Sequence, residues 1–151
     1  MVSAQIQGRY SQDMKIYIMP NVVNKHLTSL ASITMAKAVS DSFSRRGMLF
    51  IENNGYQQSV VEHLKSAHYP AEGVRSVGDK YSRLNMVSFL IESGTVLFPK
   101  QGAEELRMQL LGFGSERYDD LVDAFSILLS SITEMCSGGV RSAISKPGEP
   151  R

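Results

Sequence analysis

Asp119, Asp120 and Asp123 place three carboxylates within five residues, directly ahead of an apolar run that begins at Leu121. Spacings of three and four residues bring side chains to one face of a helix. Carboxylates held that close repel one another unless a positive group lies between them. A hard divalent cation is the usual solution, because it prefers oxygen ligands. Aspartates at a helix start also serve as caps and complement the helix dipole, so two readings of the cluster stand.

A second carboxylate, Glu52, follows the apolar run Met48-Leu49-Phe50-Ile51. Such a run reads as a strand buried on both faces, which puts Glu52 at its C-terminal end. In open α/β sheets that end is where ligands bind. Glu52 with Asp119, Asp120 and Asp123 therefore forms a candidate oxygen-ligand set drawn from two segments. Its chemical use would be two-metal hydrolysis of a phosphodiester, one cation activating water and the other stabilising the leaving oxygen. Lys80 and Arg83, one helical turn apart, and Arg75 just before them are candidates for gripping phosphates; the alternative is a solvated basic helix face.

These groups are positioned by a mixed series of elements. Alternation suggests strands over residues 2–10 and 15–23 joined by the polar turn Ser11-Gln12-Asp13, a hairpin whose second strand is marked as an edge or bulge by Pro20. Helical periodicity covers residues 26–43, with Arg45-Arg46-Gly47 as its basic C-terminal signal. After the strand at 48–51 the reading continues as helix 56–68, strand 73–77, helix 79–93, a short extended segment 95–98, helix 103–111 and helix 119–135. An initial hairpin followed by alternating strands and helices predicts a mixed sheet flanked by helices, an α/β domain over residues 1–135. The glycine- and proline-containing stretch 136–151 reads as a disordered tail.

Composition narrows the functions. At 151 residues the chain is one domain with room for its own core. A net charge of +1 gives no global footprint for nucleic acid, so any DNA contact must come from a local basic patch. The single Cys136 excludes an intrachain disulfide and suits a reducing cytoplasm. His26, His63 and His68 have no zinc-ligand spacing with Cys136, and no apolar run approaches membrane-spanning length. No Gly-x-x-x-x-Gly-Lys-Ser/Thr phosphate loop is present.

Three ordered stretches carry a resemblance. They are Phe50-Ile51-Glu52-Asn53-Asn54-Gly55-Tyr56, then Asp79-Lys80-Tyr81-Ser82-Arg83 through Glu92-Ser93-Gly94-Thr95-Val96-Leu97-Phe98-Pro99, then Tyr118-Asp119-Asp120-Leu121-Val122-Asp123-Ala124. In order and spacing they resemble the C-terminal nuclease domain of the large terminase subunit of tailed phages, over roughly residues 8–129. The resemblance implies an RNase H-like (RuvC-like) fold. It implies an endonuclease using Mg²⁺ or Mn²⁺ at a two-metal site to cut concatemeric viral DNA during packaging, in the cytoplasm of a bacterial host. It also implies double-stranded DNA, the packaging ATPase domain, the small terminase subunit and the portal as partners. Glu52 matches the family's acidic residue after the strand that follows the first helix, and Asp120 its main carboxylate near the last helix. Asp119 and Asp123 match adjacent acidic positions, and Lys80 and Arg83 a recurrent basic pair. Tyr118 stands where the family commonly has histidine.

The N-terminus departs from the pattern. The family's first, central strand bears an essential aspartate. The hairpin here resembles the second and third strands, and its one aspartate, Asp13, lies in the turn. The expectation is a fold lacking the central first strand, with exposed sheet edges closed by a rearranged hairpin, preceding sequence or another chain, including an oligomer. Three functions are implied: a terminase-type endonuclease, a catalytically impaired prophage remnant that keeps the fold and some DNA binding, and a RuvC-like junction resolvase. The stretch from Gly94 to Pro99 and the motif order favour the terminase over the resolvase.

Overall fold

The structure is a computed structural model, and it describes residues 1–7, 13–55, 57–76, 78–113 and 119–144, with side chains through 137. Its elements are β1 (Ala4–Gln7), β2 (Lys15–Ile18), α1 (Ser29–Asp41), β3 (Leu49–Glu52), α2 (Gln57–Ser66), β4 (Ala71–Val74), α3 (Lys80–Glu92), β5 (Val96–Leu97), α4 (Glu104–Leu111) and α5 (Asp120–Ile144). The expected α/β class holds. The expected single mixed sheet does not.

The strands form two separate sheets, one ordered β1-β2-β5 and the other β3-β4. β1 and β2 pair antiparallel with Ala4 opposite Ile18, and β2 pairs parallel with β5, Ile16 opposite Val96. β3 and β4 pair parallel, Leu49 opposite Ala71. β1 and β3 are left as edge strands, and both line one cavity of about 530 Å³ between the sheets.

Alternation does its work on β2, where Ile16 and Ile18 are buried and Tyr17 points outward. Those two isoleucines join Val87 of α3, Val96, Leu106 of α4, and Leu121, Phe125, Leu129 and Ile132 of α5 in the main core. A smaller second core, Val61, Leu64 and Ala71, lies under β3 and β4, with Ile33, Leu49 and Ile51 packed against it. The β3 residues are only half-buried, not buried on both faces, because the strand has one paired edge and one edge on the cavity.

Element ends follow local chemistry. Thr28 caps α1, its Oγ1 accepting from the Ala31 amide at 3.2 Å, so the helix starts later than periodicity suggested. Asp79 caps α3 in the same way, Oδ1 accepting from the Ser82 amide at 2.9 Å. β2 ends at Ile18, before Pro20, and β4 starts two residues earlier than expected. The tail expectation fails over residues 136–144, because α5 continues through the two glycines to Ile144. Residues 145–151 lie outside the described residues.

Gly102 shows a backbone constraint. Its φ is +90°, and a Cβ there would lie 2.7 Å from the Cβ of Pro20 and 3.0 Å from the Asn21 nitrogen. Only glycine lets the α4 entry loop pass this close to the end of β2. The Val22 amide donates to the Gly102 carbonyl and fastens the crossing.

Candidate functional site

Two helix starts meet at the predicted acidic cluster. The Asp79 cap fixes the first turn of α3, so Lys80 and Arg83 leave the helix on one side. The first turn of α5 does the same for Asp119 and Asp123, with the Asp123 amide donating to the Asp119 carbonyl at 3.1 Å. Lys80 Nζ reaches Asp119 Oδ2 at 2.5 Å and Asp123 Oδ2 at 3.1 Å, and Arg83 Nη2 lies 3.6 Å from Asp123 Oδ1. Arg83 also donates from Nη1 to the Gly78 carbonyl at 2.8 Å. Burial works against the Lys80 ammonium, yet the hydrogen bonds and charges of the two aspartates outweigh it and hold its pKa above the ordinary lysine value.

The positive group between these carboxylates is therefore a lysine. The solvated-face alternative for Lys80 and Arg83 does not hold either, since both are ion-paired and only partly exposed. Arg75, in contrast, is exposed just beyond β4. One polar demand is left over. Asp123 Oδ1 and Arg83 Nε are buried without a hydrogen-bond partner, so each has unused capacity beyond the long ion pair.

Capping of α5 is done from elsewhere. The buried Leu121 amide donates to Gln109 Oε1 at 3.1 Å, a side chain of α4 twelve residues upstream. Nothing in a local sequence pattern marks Gln109, because its partner is brought in by packing of α4 on α5. Asp120 is exposed in the first turn, where its charge complements the helix dipole.

The two acidic segments do converge. Glu52, Asp120 and Asp123 all line the cavity between β1 and β3, while Asp119 faces Lys80. Glu52 is half-buried at the end of β3 and accepts from Ser76 Oγ at 2.5 Å. Convergence on one cavity is looser than a ligand shell. Among the described residues no three acidic, histidine or cysteine side chains stand close enough to hold a metal ion. The donor set is of the right type for a hard cation, and Asp123 Oδ1 is an open acceptor in it, but Glu52 and the aspartates would have to draw together to share an ion.

The remaining candidates fall away from the site. Asp13 is exposed in the β1–β2 connection and does not line the cavity that Glu52 lines. His26, His63 and His68 are exposed. Cys136 is half-buried, its Sγ 3.4 Å from Met14 Sδ. Arg46 donates to Asp41 at 3.0 Å and stacks over the Tyr69 ring, a structural clasp of α1 on the α2–β4 loop. Tyr118 lies outside the described residues. Among the described residues no helix is long and apolar enough to cross a membrane. Compared with known protein families, curated proteins and solved structures, the chain matches none.

Proposed function

We propose that this chain is a metal-dependent endonuclease domain of the terminase large-subunit type, built on an RNase H-like fold without its central strand. The observation that carries the reading is the sharing of one cavity by Glu52, Asp120 and Asp123, at the C-terminal end of a parallel strand and between the edge strands of two separate sheets. Strand order supports it as well: β5-β2-β1 on one side and β3-β4 on the other leave an opening where the resemblance puts the first strand. In this reading Glu52, Asp120 and Asp123, with Asp119 beside them, are the residues that would hold Mg²⁺ or Mn²⁺, and such ions would supply water activation for hydrolysis of double-stranded DNA once the carboxylates are drawn together. Of the three basic candidates Arg75 is the exposed one, without an ion pair among the described residues, while Lys80 and Arg83 meet a phosphate only by giving up their aspartates. The ATPase domain, small subunit and portal of a packaging machine, in a bacterial cytoplasm, belong to the same proposal.

A second reading, the catalytically impaired remnant, is favoured by one specific observation. Lys80 already neutralises Asp119 and Asp123, so part of the acidic cluster is satisfied without metal. A plasmid-nicking assay across Mn²⁺ and Mg²⁺ concentrations separates the two. Nicking that disappears in Asp120→Ala and Glu52→Gln supports the nuclease. Absence of nicking at every metal concentration, from protein shown to be folded, supports the remnant.

A further inference from the structure

The cavity between the sheets has properties that neither reading uses. β1 and β3 run along its two sides, and their backbone groups can be assigned by alternation. The Met19 amide donates to Ser3 and the register pairs Gln5 with Tyr17, so Ser3, Gln5 and Gln7 turn their backbone groups toward β2. Ala4 and Ile6 then present theirs to the cavity. On the other side the Leu49 and Asn53 amides donate to β4, which leaves Phe50 and Glu52 presenting theirs to the cavity. No described residue pairs with either free edge. Apolar side chains complete the walls, including Val39 of α1, Phe43 just after it, and Ile127, Leu128 and Ile132 of α5.

We propose that this groove is a strand acceptor, taking an extended segment of another polypeptide that pairs with β1 and β3 at once and joins the two sheets into one. Backbone groups spaced along two facing edges specify a strand rather than a helix or a compact small molecule. Each edge is four residues long, so the segment in contact is about four residues, or roughly 13 Å. Among the described residues a folded second copy offers no strand free on both edges, since β1, β3, β4 and β5 have one free edge each and β2 has none. The occupant must be a segment free on both edges. For a segment running parallel to β3, as β4 does, charge fixes which end is acidic and which basic. Glu52 closes β3 and, with Asp120, makes that end of the groove acidic, whereas exposed Arg45 precedes β3 at the other end. The matching segment is rich in β-branched apolar residues, acidic at its start, basic at its finish, and parallel to β3.

The inference does not rest on the nuclease reading, and its test is run without DNA and in EDTA. The probe is a fluorescein-labelled peptide, Glu-Val-Thr-Val-Thr-Val-Lys, titrated into the full chain and followed by anisotropy. Three controls go with it: the peptide with its central valine replaced by proline, the peptide with its terminal charges exchanged, and the variant Phe50→Pro. Proline at Phe50 removes an amide that faces the groove and none of the β4 pairing, so it is tolerated as on any edge strand. Saturable binding is expected, weakened about tenfold or more by either proline, the size of one or two lost backbone hydrogen bonds. Amide exchange at Ala4, Ile6, Phe50 and Glu52 is expected to slow on peptide binding in the wild-type chain. The idea is overturned if no saturable binding occurs, if the proline peptide binds as well, or if binding leaves those four amides unprotected. Equal binding of the charge-exchanged peptide overturns the assigned polarity.

Discussion

Replacing Lys80 with methionine tests the clasp between α3 and α5 most directly. The methionine keeps most of the stem's packing and removes only the ammonium that spans Asp119 and Asp123. At an effective dielectric of about 20, unit charges about 3 Å apart attract by roughly 5 kcal/mol before desolvation is counted. All three side chains remain roughly 30% exposed, and exposed pairs usually retain only ~0.2–1 kcal/mol each. Two such pairs, plus the aspartate–aspartate repulsion that the lysine now masks, give a net loss of about 1–2 kcal/mol. For a domain of this size that lowers Tm by about 2–8 °C. The assay is thermal unfolding by circular dichroism at low and high salt, with a double-mutant cycle against Asp123→Asn. The loss should shrink in high salt and in the Asp123→Asn background. It should also depend on pH. Because the folded pKa of Lys80 is raised, its contribution is complete below the unfolded lysine value of about 10.4 and disappears as pH rises through the folded value. The same substitution frees two carboxylates, so Mn²⁺ should raise the Tm of the variant more than that of the wild type. A variant that matches the wild type within 1 °C (roughly 0.3 kcal/mol), or whose loss is unchanged in the Asp123→Asn background, would refute the clasp.

Three further outcomes are expected. Gly102→Ala should destabilise by at least about 2 kcal/mol in urea unfolding, since the backbone strain at positive φ adds to the collision with Pro20. Gln109→Leu should cost about 1–3 kcal/mol by the same measurement, because the buried Leu121 amide loses its acceptor while the packing volume is nearly kept. Asp79→Ala should lower Tm at neutral pH through loss of the α3 cap. The hydrogen bond from the Ser82 amide, with that from the Ser82 hydroxyl, holds the Asp79 pKa below its usual value. The capping contribution is thus present above about pH 4 and lost as pH falls through the folded value, so the Tm difference should close in acid.

Much of the element order could be read from the chain, and the reason is visible in particular residues. Ile16 and Ile18 alternate with exposed Lys15 and Tyr17, and Leu121, Val122, Phe125 and Leu129 recur at helical period, so each element announces the face it buries. The Asp119, Asp120 and Asp123 cluster and Glu52 were also legible, being carboxylates at element ends. What joins them was not. Lys80 stands thirty-nine residues before Asp119, and Gln109 caps α5 from a different helix, so both roles arise only when the helices dock. The length of α5 was underestimated because Gly138 and Gly139 read locally as a stop, whereas the helix continues past them. The separation of the sheets was anticipated only as a missing strand. That β1 and β3 would flank a cavity is a tertiary outcome, and α5 forms part of its wall, sending Leu121, Phe125 and Leu129 into the main core and Ala124 and Ile127 to the cavity, with Leu128 touching both.

That arrangement puts the carboxylates on two different units of the fold. Glu52 belongs to the unit of β3, β4 and α2, whose buried apolar side chains among the described residues are Val61, Leu64 and Ala71. Asp120 and Asp123 travel with α5, which is fixed in the larger core. Between the two lies the cavity, with α5 touching β3 along one wall. The spacing of the acidic groups is therefore a gauge of how far the smaller unit stands from the larger one. If the nuclease and strand-acceptor proposals both hold, a segment seated in the groove also sets the reach of Glu52 toward α5.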